Sequence, residues 1–226
     1  MPAAMPSQCE VCRQWSGRAL CNDCCARFAP LAQRCGRCGL RMGVDVAACG
    51  ACLHDPPPFE HTVCAADYGF PWDRLIADFK FNAREDLAGP LAQLLHTAVQ
   101  ASDSPTPDLV LPIPLSAQRL AERGYNQAWE LARRAAQLQG RTARHDLLLR
   151  PIDTAHQAGL TRAERQRNLA AAFMVDPRQR ATLQGRRVAL VDDVMTTGAT
   201  AREAARTLLR AGATGVDLWM LARTPD

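Results

Sequence analysis

Thirteen consecutive residues near the C-terminus gather acids, hydroxyls and a glycine into one short run: Val188-Ala-Leu-Val-Asp192-Asp193-Val-Met-Thr196-Thr197-Gly198-Ala-Thr200. An apolar run of four ends in two adjacent carboxylates; Val194 and Met195 follow, then the turn Thr196, Thr197, Gly198, Ala199 and Thr200. A continuous Val/Leu run reads as a buried parallel strand. From Ala201 to Arg210 the pattern is helical, with Gly212 placed as a C′ residue. The carboxylates are therefore expected at a strand's carboxyl edge, facing solvent, where open α/β sheets bind ligands. A strand-to-helix turn aims backbone N–H groups at one point, and the helix dipole favours an anion there. Thr196, Thr197 and Thr200 add hydroxyl donors, and Gly198 permits close approach or positive φ. Ionised Asp192 and Asp193 can only accept hydrogen bonds, which suits two vicinal hydroxyls. An anion with a diol beside it describes a ribose 5-phosphate. The competing reading is an ordinary junction with threonine caps and two solvated acids.

The second chemical group is at the other end. Nine of the ten cysteines precede residue 53, and eight form C-x-x-C pairs: Cys9/Cys12, Cys21/Cys24, Cys35/Cys38 and Cys49/Cys52. Each tight turn offers two thiolates on one side, so two turns complete a tetrahedral zinc site with Zn–S near 2.3 Å. Four pairs suffice for two closed, structural sites. The sequential grouping is the simplest, and an interleaved one fits the spacing as well. Metal binding would supply most of the folding energy of so small a module. A redox C-x-x-C is the alternative for any single pair, but four pairs in fifty residues speak for metal. Cys25, Cys64 and His54 stand outside the pattern.

The elements that must position these groups are legible from periodicity. Pro56-Pro57-Pro58 is a stiff, extended separator. Residues 62–68, 109–114, 145–149, 171–175, 187–192 and 215–221 read as strands; 72–81, 87–99, 117–138 (interrupted at Gly124) and 200–211 read as helices. Strands alternating with helices give an α/β fold with a parallel sheet flanked by helices. Prolines stop the strand at Leu111-Pro112-Ile113-Pro114, and Arg119, Arg123, Asn126 and Gln127 follow. These four suit further phosphates, or else belong to a solvated helix broken at Gly124 and capped by Asn126. Thr161 and Glu164 form a capping box with Leu160 as staple, starting a helix that carries Arg162 and Arg165. Across 117–170 ten Arg oppose five acids, a net +5 that exceeds the whole chain's +4. That stretch is a solvated charged helix, a loop closing over pyrophosphate, or a nucleic-acid contact.

Composition sets the frame. With 47% hydrophobic and 22% charged residues, the 226-residue chain is an ordinary globular protein. The bases comprise 26 Arg and one Lys, Lys80. No apolar run approaches the ~18–20 residues of a membrane helix, and the N-terminus lacks the features of a signal peptide. A cytoplasmic protein without membrane insertion is expected. Aromatics make up only 5%, few for a base-stacking surface.

In order along the chain, the cysteine pairs, the proline separator, Leu111-Pro-Ile-Pro-Leu115, Glu122-Arg-Gly-Tyr-Asn-Gln127, Gln157-Ala-Gly-Leu-Thr-Arg162, Arg167-Asn-Leu169 and the Asp192–Thr200 motif resemble the ComF family. These are competence-associated, phosphoribosyltransferase-like (GntX-like) proteins. Lys80-Phe81 matches the family's lysine–aromatic pair, whereas Thr154-Ala-His156 and Ser116 depart from its usual residues. The resemblance implies a type I phosphoribosyltransferase core, residues 59–226, behind a double zinc-knuckle module, residues 1–58. It implies that residues 192–200 bind phosphoribosyl pyrophosphate (PRPP) with Mg²⁺, Asp192 and Asp193 being catalytic. Lys80, Arg119, Arg123, Asn126, Gln127, Arg162 and Arg165 are the pyrophosphate candidates. It further implies Mg²⁺-dependent phosphoribosyl transfer or PRPP binding, linked to DNA uptake. The alternative is a non-enzymatic single-stranded-DNA-binding competence protein with PRPP as regulatory ligand and other competence proteins as partners.

Overall fold

The computed structural model describes residues 7–44, 46–151 and 172–225. The cysteine-rich segment comprises a short ribbon, β1 (Ser7–Gln8) with antiparallel β2 (Trp15–Ser16), then helices α1 (Asn22–Phe28) and α2 (Gly50–His54). Beyond it come β3 (Thr62–Asp67), α3 (Trp72–Phe81), α4 (Ala88–Gln100), β4 (Leu109–Pro112), α5 (Ala117–Arg123), α6 (Gln127–Leu138), β5 (Thr142–Ala143) and β6 (Leu148–Leu149). The chain ends with β7 (Met174–Val175), β8 (Arg187–Met195), α7 (Ala199–Arg210) and β9 (Gly215–Arg223). No helix among the described residues is long and apolar enough to cross a membrane.

The central sheet runs β3-β9-β8-β4-β5, every pair parallel. Its strands are buried on both sides, hence the unbroken apolar runs in β8 and β9. Side chains alternate between two cores. Ala189 and Val191 join the core under α3, α4 and α6, whereas Val188 and Leu190 join the one under α7. The order reverses between β4 and β8: β4 leads outward to β5, and β8 leads the other way to β9. In an open α/β sheet that reversal opens a crevice at the strands' carboxyl ends. The Asp192–Thr200 segment is one wall of this crevice. β5, a two-residue edge, lay beyond the sequence pattern. The strands expected at 145–149 and 171–175 appear as β6 and β7, but they pair antiparallel in a separate ribbon rather than entering the sheet.

The predicted break at Gly124 is real. Gly124 closes α5 at φ 80°, and Asn126 starts α6 by accepting from the N–H groups of Ala128 and Trp129. Ser116, one of the family departures, is the buried N-cap of α5 and accepts from Arg119 N–H.

The cysteine segment straddles the sheet's edge strand, β3. Leu20 and Phe28 of its first half pack into the core under α3 and α4, and Trp72 Nε1 donates to Phe28 O at 2.7 Å. Its second half lies on the opposite face, where Gly39 abuts Cys64, Thr62 N–H donates to Gly36 O at 2.8 Å, and Arg202 of α7 pairs with Asp55 at 3.2 Å. The φ of Gly39 is +68°, and a Cβ there would meet Cys64 Sγ at 2.3 Å, so only glycine fits this approach.

Candidate functional site

β8 extends to Met195, three residues past its expected end at 192, so Asp192 and Asp193 both lie within the strand. Alternation sends adjacent side chains to opposite faces. Asp193 follows Ala189 and Val191 toward α3, where Lys80 Nζ donates to its Oδ1 at 2.7 Å. Asp193 is only 3% exposed, and its Oδ2 is buried without a hydrogen-bond partner among the described residues. This corrects the expectation of two solvent-facing acids. A strand this deeply buried leaves one of two neighbours no route to water. Asp192 lies on the other face, half-buried, its Oδ1 accepting from Asp193 N–H at 2.9 Å. Burial, then the neighbouring Asp193 charge, push its pKa up to about 7, against the opposing pull of Lys80 and Arg123.

Beyond Met195 the chain turns through exposed Thr196 and Thr197, and Gly198 enters α7 at φ 74°, a left-handed conformation that favours glycine. Thr197 Oγ1 accepts from Ala199 N–H at 3.4 Å, and Gly198 at the N-cap brings no side chain, so the next leading N–H groups face the turn. Together with Asp192, Val194, Thr196, Thr197, Ala199, Thr200 and Met220 they enclose a cavity of about 60 Å³. A helix N-terminus, three threonine hydroxyls and an adjacent acid can hold an anion and accept from a nearby hydroxyl.

The other predicted residues are distributed around this point. Lys80 and Arg123 both act on the acidic pair, by ion pairing and through space respectively. Arg119 and Arg123, one helical turn apart on α5, make no ion pair among the described residues. Asn126 spends its Oδ1 on capping α6 and its Nδ2 on Ile113 O, and Gln127 is buried. Arg162, Arg165 and the Thr161/Glu164 capping box lie outside the described residues.

The cysteines form two tetrads, Cys9/Cys12/Cys21/Cys24 and Cys35/Cys38/Cys49/Cys52, each with its sulfurs within 4.8 Å of one another. The grouping is sequential. A tetrahedral site with 2.3 Å bonds needs sulfurs about 3.8 Å apart. Cys12 and Cys21 are at 3.8 Å, and Cys38 and Cys49 at 3.6 Å. Backbone N–H groups point at the sulfurs: Cys21 N to Cys9 Sγ at 3.4 Å, Cys49 N to Cys35 Sγ at 3.2 Å. Burial works against the Cys9 and Cys35 thiolates, but these N–H donors outweigh it and lower the two pKa values to about 6 and about 7. Burial and neighbouring sulfurs raise Cys24 and Cys52 instead. A dication reverses that penalty, so the donor set fits zinc, and a full thiolate shell leaves no open position. Cys25 and His54 belong to neither tetrad.

Some contacts had no local signal. Tyr125 hydroxyl donates to Phe79 O, and the two rings meet at a 57° tilt with centroids 5.8 Å apart, fastening the α5–α6 turn to the end of α3. Arg223, at the end of β9, donates to Cys38 O at 3.2 Å and links sheet to knuckle. Glu60, His61 and Asp217 also cluster, at the sheet's opposite edge, but both carboxylates already accept from Arg187.

No profile of a known protein family matches the chain. Individual relatives do. DNA utilization protein YhgH of Salmonella typhi is 35% identical over 97% of this chain and 98% of its own length. Competence protein F of Haemophilus influenzae is 33% identical over 90% of each chain. Among solved structures, the glutamine PRPP amidotransferase from B. subtilis superposes with a TM-score of 0.43 at 19% identity, covering 63% of this chain and 30% of that one. At this identity over nearly the full length of both curated relatives, the chain belongs to the ComF family, that of competence protein F and DNA utilization protein YhgH.

Proposed function

We propose that the protein binds PRPP with Mg²⁺ at the carboxyl edge of β8 and acts as a cytoplasmic phosphoribosyltransferase in a process of DNA uptake or use. One observation carries the reading: a phosphate-sized cradle at the N-terminus of α7 adjoins an acidic pair at the sheet's switch point. In this reading the cradle holds the 5-phosphate, Asp192 accepts from the ribose hydroxyls, Asp193 holds Lys80 in place from the other face of β8, and Lys80, Arg119 and Arg123 face the pyrophosphate. Transfer through a cationic ribosyl centre needs positioning and leaving-group stabilisation more than a nucleophile, which suits this residue set. Residues 1–58 serve as the zinc-held module and residues 59–226 as the transferase core. The curated relatives' names supply the link to DNA.

Calorimetric titration with PRPP and Mg²⁺ tests the reading directly: saturable binding at one site per chain is expected, and no heat at millimolar PRPP would overturn it. A screen of nucleobases for pyrophosphate release then reads out transfer.

The raised Asp192 pKa fixes a pH dependence. The folded state holds this proton more tightly than the unfolded chain, so the associated stability is present below about pH 4 and is lost as pH rises through about 7. Hydroxyl acceptance requires the ionised form, so PRPP affinity should run the opposite way. It should rise roughly tenfold from pH 6 to pH 8, and the rise should vanish in Asp192→Asn. A flat profile in the unmodified protein would remove Asp192 from ligand contact.

A further inference from the structure

The turn Thr196–Thr200 is fastened at both ends to the second half of the cysteine segment. Its leading carbonyl, Met195 O, accepts from Thr224 N–H at 3.1 Å and from Thr224 Oγ1 at 2.9 Å. The Met195 side chain lies under the turn, its Sδ 3.5 Å from where a Cβ on Gly198 would stand. Arg223, buried at the end of β9, fixes Thr224 in its turn. Its Nη1 donates to Thr224 O, to Thr224 Oγ1 at 3.3 Å and to Met195 O at 3.5 Å. The Nε of the same guanidinium donates to Cys38 O at 3.2 Å. At the other end, Arg202 in the first turn of α7 pairs with Asp55 at 3.2 Å and donates to Asp55 O at 3.0 Å. Both anchors depend on the second tetrad. Cys38 Sγ is 3.6 Å from Cys49 Sγ, and Cys38 N–H points at Cys35 Sγ. Asp55 is the C-cap of α2, the helix that carries Cys52. Four thiolates repel one another until a dication gathers them, so the places of Cys38 and Asp55 follow that ion.

We propose that Arg223 and Arg202 are positioning residues that make the anion-binding turn depend on metal in the second tetrad. With the ion bound the turn is held in shape, and without it the turn loosens. This rests on Thr196–Thr200 being the phosphate cradle of the proposed function, and adds that ligand affinity depends on the cysteine module. Linkage then requires the converse: a ligand in the cradle strengthens metal binding at the second tetrad by the same factor. The first tetrad takes no part, because its half packs through Leu20 and Phe28 under α3 and α4.

Residue-resolved hydrogen exchange tests this without any ligand. Two amides report on the turn: Thr224 N–H, which donates to Met195 O, and Ala199 N–H, which donates to Thr197 Oγ1. In the zinc-loaded Arg202→Ala/Arg223→Ala protein both should exchange about tenfold faster relative to Leu190 of β8. Cys49→Ser should quicken the same two amides, whereas Cys12→Ser, in the first tetrad, should not. A general loss of stability would move both cysteine variants alike. In the double-arginine background Cys49→Ser should add nothing further. PRPP with Mg²⁺, titrated into the same proteins, should bind about tenfold more weakly to the double-arginine variant than to the unmodified chain. Exchange that responds as expected in a protein that binds no PRPP would support the tie to the tetrad and retract the PRPP reading alone. The proposal is overturned if the two amides do not respond to the arginine substitutions, if Cys12→Ser and Cys49→Ser act equally, if Cys49→Ser and the arginine substitutions are additive, or if PRPP binds both proteins equally well.

Discussion

Asp192→Asn is expected to cut PRPP affinity by about 100-fold, the equivalent of losing one or two hydrogen bonds to a charged acceptor. Its fold should survive intact. The carboxylate it removes is half-buried beside another acid and costly to ionise, so the melting temperature at pH 8 should hold or rise. Asp193→Asn should behave differently, because its carboxylate is the partner of Lys80 at 2.7 Å and is nearly inaccessible. Removing that charge leaves the ammonium unpaired, at a cost of about 2 kcal/mol that Lys80's residual exposure keeps below the cost of a fully buried break. Calorimetry and thermal melts of the two single variants separate contact from support. Normal PRPP affinity in Asp192→Asn would sink the proposed site.

The larger effect concerns the metal. Protein purified without chelator should carry two zinc ions per chain by elemental analysis, and Cys49→Ser should carry one. Structural zinc contributes an apparent ~10–16 kcal/mol of binding, whereas a whole domain is stable by about 5–15 kcal/mol. Losing one ion is therefore expected to unfold the second knuckle and lower the melting temperature of the remainder. The coupling has named routes: Arg223 to Cys38 O, Gly39 against Cys64, and Thr62 to Gly36 O. Hydrogen exchange should show β3 losing protection before β8 in that variant. Fewer than two zinc ions in the intact protein, or an unchanged melting temperature in Cys49→Ser, would contradict this account.

What was legible in the sequence was local. The four-residue apolar run, the acids and Gly198 marked the β8–α7 junction because a buried strand, a tight turn and a helix each impose a composition on a few neighbours. The cysteine pairs were legible because ligand geometry is set within each turn; the structure added only that the pairs combine in sequence. Asp193 shows what pattern reading omitted. Strand alternation alone required that adjacent acids part to opposite faces, but the partner on that face, Lys80, comes from a helix distant in sequence. β5 escaped notice because two residues amid polar neighbours have no period, and its place depends on β4. The position of the knuckles on both faces of β3 is likewise tertiary, written in Leu20, Phe28, Gly39 and Asp55 and not in any single motif.

The straddled edge has a bearing on biosynthesis. Among the described strands β3 pairs only with β9, which is synthesised after every other strand of the sheet. At 5–20 residues per second, β3 waits on the order of ten seconds for it. During that interval an apolar strand with an open edge is a template for unwanted pairing with other nascent chains. The cysteine tetrads emerge before β3 and need only zinc to close, so they can flank the strand from both sides while it waits. Zinc scarcity is therefore expected to show first as insoluble nascent protein and only later as lost activity.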